Sequence, residues 1–448
     1  MKSNIFREYD IRAVAGKEID ENDVLLIGKG IGSYLSRNGF KNLAVGKDCR
    51  TTSDLYAEKL IEGLLSTGCD VIEIGVCPSP VLYFAVQHLN TEGGVMVTAS
   101  HNPKEYNGFK INKGRDSLHG EEIQKIRLLI EKQDFETGQG KRSKADVIPD
   151  YQDTLVNKIE IEKPLRIGVD AGNGTAGFVA LPIFKRLGFE IHDLYCDMDG
   201  TFPNHEADPT VKKNMTDLIA LVKKKKLDVG IGFDGDGDRI GVVDEGGNII
   251  YGDKLITLFA REILSRKPGA TFVSEVKCSQ TMYDDIKKHG GNAIMWKTGH
   301  SLIKSKMKEV NAELAGEMSG HMFFKDRYFG FDDATYAALR LLEILSKTGK
   351  RISELLADLP KTYTTPEIRA DFPDDIKFDV VKKVTDYFRD KYNVIDIDGV
   401  RVIFEDGWGL VRASNTQPAL VLRFEALSEK RLDEIRNLIE SVLKQMQN

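Results

Sequence analysis

A chain of 448 residues exceeds the size at which one hydrophobic core keeps growing, so several domains of about 150 residues each are expected. Hydrophobic residues make up 41% and charged residues 29%, which excludes a disordered, collagen-like or coiled-coil chain. Lys plus Arg number 63 against 69 for Asp plus Glu; the net charge of −6 provides no broad basic field for a nucleic-acid backbone, and any phosphate must be caught locally.

The opening residues, MKSNIFREYDIR, lack the apolar stretch of a secretory signal, and no apolar run approaches the ~20 residues needed to cross a bilayer. Cys49, Cys69, Cys77, Cys196 and Cys278 are scattered without a CxxC pair and read as reduced core thiols. The expectation is a cytoplasmic protein with no membrane or nucleic-acid partner.

Three stretches repeat one order: a β-rich run, a polar turn, an amphipathic helix ending at Gly, and a second β-rich run. The first is NLAVGKDCRTTS, a helix carrying Leu60, Leu64 and Leu65, then Gly68 and DVIEIG. The second is LRIGVDAGNGTAG, LPIFKRLG and FEIHDLY; the third is TFVSEVKCSQT, MYDDIKKHGG and NAIMWK. Strands separated by helices imply parallel pairing through βαβ crossovers, hence three α/β domains of similar build. After about Thr364 the pattern changes to a helix, short β runs with an Asp406–Gly407 turn signal, and a last helix, which predicts a smaller α+β domain with an antiparallel sheet. Linkers are expected near GKRSKADVIPD, DEGGNIIYGD and LPKTYTTPE. Lys223 to Lys226 read as a solvated helix end, favoured by the negative pole of the helix dipole.

Several loops carry chemistry. Ser100 in TASHNP follows the apolar run GVMV, at the carboxyl end of a strand where α/β folds expose reactive groups. No GxSxG surrounds it, and His101 reads as structural more readily than as its base. Gly172, Gly174 and Gly177 match GxGxxG, but no acidic residue about 20 positions onward stands out, and a tight strand-to-helix turn is the favoured reading. Asp234, Asp236 and Asp238 alternate with glycines after LDVGIGF, and three adjacent carboxylates repel unless a cation neutralises them. An EF-hand is disfavoured because Arg239 replaces its turn glycine and β runs replace its helices, although Glu245 falls at a ligand position. A serine can carry a phosphoryl group, and a cation beside it lowers the charge cost of transfer, so Ser100 and the aspartate loop make sense together.

TASHNP with NGFKI, FDGDGDR, KTGHS, GEMSGH and RASNTQP, opened by FREYDIR, stand in the order and approximate positions of the motifs of the α-D-phosphohexomutase family. The chain resembles that family over its whole length, and its phosphomannomutase/phosphoglucomutase branch most. The resemblance implies a central cleft among four domains: 1–146 with a phosphoserine loop, 147–250 with a metal-binding loop, 251–363 with a sugar-binding loop, and a smaller α+β domain 364–448 with a phosphate-binding loop. It implies an isomerase that interconverts hexose 1- and 6-phosphates of mannose and glucose. A phosphoserine enzyme and a hexose 1,6-bisphosphate intermediate carry the reaction, with Mg²⁺ as cofactor and small sugar phosphates as partners.

Carried over by motif, Ser100 is the phosphoserine, and Asp234, Asp236 and Asp238 hold Mg²⁺ beside its phosphate. Lys110 and His300 are proton-transfer candidates, and Arg239 supports the moving phosphoryl group. Lys277 and His300 line the cleft, while Glu317 and Ser319, with His321 nearby, read sugar hydroxyls. Tyr9, Arg12, Arg412, Ser414, Asn415 and Thr416 hold the substrate and its non-reacting phosphate, for which guanidinium and neutral donors are suited. Ala13 stands where a glycine is expected, and Gln417 where Thr or Glu is. A phosphoglucosamine mutase is the alternative, disfavoured by Met318 and by RASNTQP; a non-catalytic sugar-phosphate sensor is disfavoured by the intact Ser100 and aspartate loop.

Overall fold

The computed structural model describes residues 1–414 and 418–446. Three mixed sheets share one plan. In each, a first strand (Asn42–Lys47, Arg166–Asp170 or Thr271–Glu275) pairs in parallel with a second and a third. The second strands are Asp70–Val76, Glu190–Leu194 and Asn292–Trp296. The third strands, Gly93–Val97, Val229–Phe233 and Leu314–Gly316, then turn back into an antiparallel fourth. These fourth strands are Tyr106–Lys113, Ile240–Asp244 and Met322–Phe324. Residues 93–97, 229–233, 240–244 and 314–316 are buried throughout, which is why, but for Asp244, they read as apolar or glycine runs rather than alternating ones.

Helices cover these sheets with regularly spaced apolar residues. In Ser53–Ser66, Tyr56, Leu60, Ile61 and Leu64 are buried on one stripe, with Leu65 half-buried at its edge. The first domain widens its sheet with Ile11–Val14 at one edge and Arg142–Lys144 at the other. Ala13 sits in regular antiparallel register with Asn107 and is fully buried, so this position needs no glycine. The fourth sheet is antiparallel throughout, from Tyr363–Thr364 to Ala419–Ala426, with helices Lys377–Arg389 and Glu429–Met446 packed on it. Phe404 pairs with Gly407, so Glu405 and Asp406 form the hairpin turn. The fold is thus three α/β domains followed by a smaller α+β domain.

One apolar cluster runs through the first three domains, joining Met96, Val169 and Phe324 among many others, and the first domain holds a second core around Ile27, Leu60 and Phe109. The fourth domain has its own core around Phe388, Leu420 and Phe424. Among the described residues, no helix is long and apolar enough to cross a membrane.

Candidate active site

The turn between the third and fourth strands recurs in each α/β domain, and the three turns converge. They carry Ser100, then Asp234 to Arg239, then Glu317 to His321. With residues of the fourth domain they enclose a cavity of about 270 Å³, lined by side chains from all four domains.

Ser100 adopts φ +50°, a left-handed backbone that a non-glycine residue holds only when its surroundings over-determine it. Its N–H donates to Thr98 Oγ1 at 2.9 Å. The hydroxyl donates to Asp234 Oδ2 at 2.7 Å and lies 3.2 Å from His101 Nδ1. Gly235 packs so closely that a Cβ there would stand 2.5 Å from the Ser100 carbonyl oxygen. A Cβ on Gly174 would meet the Gly235 carbonyl at 2.6 Å, so this glycine of the GxGxxG run serves the packing of the aspartate loop. Burial lowers the His101 pKa well below the ordinary histidine value, reinforced by Arg239 and Arg12, which leaves the ring neutral.

Asp234, Asp236 and Asp238 are fully buried, and each offers an oxygen to a cluster narrower than 4.8 Å. Burial, then repulsion by Asp238 and Asp236, pushes the Asp234 carboxyl well above its usual range. Asp236 moves the other way: burial would raise it, but Lys110 at 2.6 Å, together with Ser79 at 2.5 Å, holds it charged. Lys110 also contacts Asp238, and these carboxylates overcome burial to keep the ammonium protonated. One cation does not satisfy three carboxylates: Asp236 Oδ1 and Asp238 Oδ1 remain buried without hydrogen-bond partners. Hard oxygen donors in deficit of positive charge suit a divalent cation. The loop lies between two strands, and Glu245 turns away to accept from Ser353, so it is no EF-hand.

Around this centre, Arg239 Nε donates to His321 Nε2 at 3.0 Å, and His321 Nδ1 lies 3.0 Å from Asp332. Asp332 in turn pairs with Lys304 at 3.2 Å. His300 stacks on His321 with centroids 5.4 Å apart, and burial depresses its pKa well below the ordinary value. Tyr9 Oη donates to the Thr298 carbonyl at 2.9 Å, and Arg12 binds Asn102 and Asp10. Glu317 accepts from the Gly299 N–H at 2.7 Å, and burial with the neighbouring Glu275 raises its pKa. Lys277 bridges Glu275 at 3.4 Å and Glu367 at 3.0 Å. Lys277 holds the Glu367 carboxyl down to about 2. Arg412 Nε donates to Asp398 at 2.9 Å, and the same carboxylate oxygen accepts from the Thr298 N–H at 2.9 Å. Ser319 and Ser414 line the cavity beside them. Asn415, Thr416 and Gln417 lie outside the described residues.

Sequence reasoning passed over Asp10, Asn102, Thr298, Asp332, Glu367 and Asp398. Asp10, Asn102 and Thr298 stand inside motifs as neighbours of residues singled out. Asp332, Glu367 and Asp398 lie in stretches whose composition is that of any polar loop, and only the packing of distant segments brings them in.

Models of the phosphoglucomutase/phosphomannomutase alpha/beta/alpha domains I, II and III match residues 3–137, 149–247 and 251–363, and that of the C-terminal domain matches 367–441. The chain is 46% identical over 444 residues to a phosphomannomutase/phosphoglucomutase of Pseudomonas putida, covering 99% of this chain and 96% of the relative. It is 44% identical over 452 residues to a phosphoglucomutase of Neisseria meningitidis, with 99% and 98% covered. Among solved structures, a phosphoglucomutase/phosphomannomutase family protein from Burkholderia thailandensis superposes with a TM-score of 0.95 at 41% identity, covering 100% of this chain and 98% of the other.

Proposed function

The chain belongs to the phosphoglucomutase/phosphomannomutase family and is a hexose-phosphate mutase, an isomerase, and on that premise we propose how its cleft acts on glucose and mannose phosphates. The observation that carries the reading is the Ser100 hydroxyl, held in a left-handed turn and hydrogen-bonded at 2.7 Å to a loop of three buried carboxylates.

Ser100 in its phosphorylated form is the donor. The free hydroxyl of a bound hexose monophosphate attacks the phosphorus; the bond from phosphorus to Ser100 Oγ breaks, and a bond to the sugar oxygen forms. Neutral His300 takes the proton of the attacking hydroxyl, and protonated Lys110 supplies one on the serine side. The resulting hexose 1,6-bisphosphate turns end over end in the cleft, and its other phosphate returns to Ser100. Arg239 offsets charge on the moving group. A divalent cation, in our reading Mg²⁺ held by Asp234, Asp236 and Asp238, lowers the electrostatic cost of that transfer when bound. Glu317, Ser319 and Lys277 read the sugar, while Arg412, Ser414, Tyr9 and Arg12, with Asn415 and Thr416, grip the phosphate that is not reacting. Five unpaired cysteines suit a reducing, cytoplasmic setting.

A coupled assay on one preparation with glucose 1-phosphate, mannose 1-phosphate and glucosamine 1-phosphate tests the reading. Turnover of the first two, with one phosphate on Ser100 by intact mass, is expected. Preference for the amino sugar would make the protein a phosphoglucosamine mutase, and binding without turnover of any would make it a sensor.

A further inference from the structure

Arg50 lies outside the cleft and is only 3% exposed. A guanidinium has five N–H donors, and here every one has an acceptor. Nε donates to Asp48 at 3.1 Å. Nη1 donates to the carbonyls of Pro103 and Tyr106 at 2.7 and 3.1 Å, and Nη2 to those of Ser100 and Asn102 at 2.8 and 2.6 Å. Asp48 is itself pinned by Ser53 Oγ at 2.5 Å and by the Arg50 N–H at 2.9 Å. The second domain closes over the group: Gly200 forms a backbone bridge with Arg50, and the Phe202 ring centre lies 5.0 Å from the guanidinium carbon.

A cation with all its donors committed to backbone and one carboxylate cannot also grip a substrate phosphate. What it can do is determine a loop. Four carbonyls of the turn 100–106 converge on this one group, the Ser100 carbonyl in a buried contact and the other three in partly buried ones, and a buried carbonyl without a donor is costly. Their convergence also draws their negative ends toward Arg50, where they do not oppose a phosphate of about two negative charges on Ser100 Oγ. Ser100 is thereby held at its N–H by Thr98, at its carbonyl by Arg50, and against Gly235 of the second domain. Its left-handed φ has the over-determined surroundings that such strain requires.

We propose that Arg50 is a positioning residue for phosphoryl transfer, gathering the carbonyls of Ser100, Asn102, Pro103 and Tyr106 so that the serine oxygen is presented to the aspartate loop without Arg50 touching substrate. The proposal rests on Ser100 being the phosphoryl carrier.

Two variants test it: Arg50→Lys keeps the charge but offers three donors from one point, and Arg50→Ala removes all five. Three quantities are measured per folded molecule: kcat, KM for glucose 1-phosphate, and the rate at which dephosphorylated enzyme takes phosphate from glucose 1,6-bisphosphate, followed by intact mass. In Arg50→Lys, kcat and the Ser100 phosphorylation rate are expected to fall together by at least about tenfold, with KM moving less than about threefold. Guanidinium at low millimolar concentration should restore part of the kcat of Arg50→Ala saturably, and equal urea should not. Wild-type kcat per folded molecule in both variants overturns the proposal, and so does a raised KM with kcat unchanged, which would make Arg50 a substrate contact. If Arg50→Ala does not fold, Phe202→Leu joins Arg50→Lys; it leaves the five bonds but loosens their cover, and should slow Ser100 phosphorylation by roughly two- to fivefold. Wild-type rates in both of these sink the idea. Wild-type enzyme that never accepts phosphate on Ser100 overturns the reading of Ser100 and the proposal with it, a result separable because it needs no variant.

Discussion

One apolar cluster joins the first three domains, beside a second core within the first, whereas the fourth domain keeps its own and, among the described residues, meets the third through a small apolar patch of Val276, Trp408 and Leu410 with Met295, Ile397 and Ile403 at its edge. The rest of that seam is polar. Arg401, fully buried and stacked 3.7 Å over Trp408, donates to the carbonyls of Val276 and Cys278 at 2.7 and 2.8 Å. Asp398 joins Arg412 to Thr298, and Glu367 joins Lys277. Shared apolar burial cannot be released without exposing surface to water, while hydrogen bonds and ion pairs can be exchanged for water at small net cost. The residues we assign to phosphoryl transfer stand on the fused part, while the proposed grip on the distant phosphate is shared between Tyr9 and Arg12 of that part and Arg412 and Ser414 across the polar seam. In the mechanism we propose, a seam that can exchange its bonds for water would let a bisphosphate turn while it is retained.

The sharpest way to break the comparison is within the fused part. Ser100→Ala should lose turnover by roughly a thousandfold or more without added bisphosphate, since the phosphoryl carrier is gone, while the melting temperature changes little. Steady-state assay beside a thermal melt checks both. Next, Asp236→Asn should cost on the order of a hundredfold in kcat and weaken divalent-cation binding in parallel. Titration of Mg²⁺ by calorimetry reads the second effect independently of activity, and undiminished turnover of wild-type enzyme after exhaustive chelation would refute the cation site.

Across the polar seam the effects should be smaller and of another kind. Arg412→Ala removes charge-assisted hydrogen bonds worth about 1.5 to 3 kcal/mol, so kcat/KM should fall about tenfold to a hundredfold with glucose 1-phosphate and glucose 6-phosphate alike. Free bisphosphate per turnover should rise. Loss with one isomer only would show that Arg412 does not serve both ends of the sugar.

The smallest effect concerns acid. Lys277 depresses the Glu367 carboxyl to about 2, below the ordinary value of about 4.3. A depressed carboxylate stabilises the seam above its unfolded pKa and stops doing so as pH falls through the folded one, so docking of the fourth domain should weaken between about pH 4 and 2. Glu367 is a quarter exposed, which reduces the gain through solvent screening. Amide exchange at Val276 to Cys278 should rise in that window before exchange within the fused core does, and Glu367→Gln should remove the pH dependence.

The repeated strand and helix order was legible in the sequence because each unit is local: its strands are apolar runs, its helices end at glycine, and the connections are short. The pairing of Ser100 with the aspartate loop was legible for a similar reason, since each motif is contiguous, and the structure brings the two within hydrogen-bond distance. Arg50 was not, because a lone arginine in KDCRTTS carries no sign that four carbonyls fifty residues away will converge on it. Asp332 and Asp398 were equally silent, as their partners His321, Lys304, Arg412 and Thr298 come from other segments. Lys110 shows a subtler limit. Its motif marked it as a proton carrier near Ser100, and the structure adds that it lies in ionic contact with Asp236 and Asp238, so its proton and the charge of the aspartate loop are bound together.

The turn after the third strand holds Ser100 in the first domain, the three carboxylates in the second, and Glu317 and Ser319 in the third. One architectural slot, copied three times, thus presents three different sets of side chains to one cavity. The three copies are not independent of one another: Arg239 donates to His321, the Ile240 N–H donates to the Gly320 carbonyl, and Gly235 packs on the Ser100 carbonyl, so a change within 317–321 is felt at the aspartate loop. Gly320, where a Cβ would stand 2.3 Å from the Ile240 carbonyl, is therefore fixed by the neighbouring copy rather than by its own.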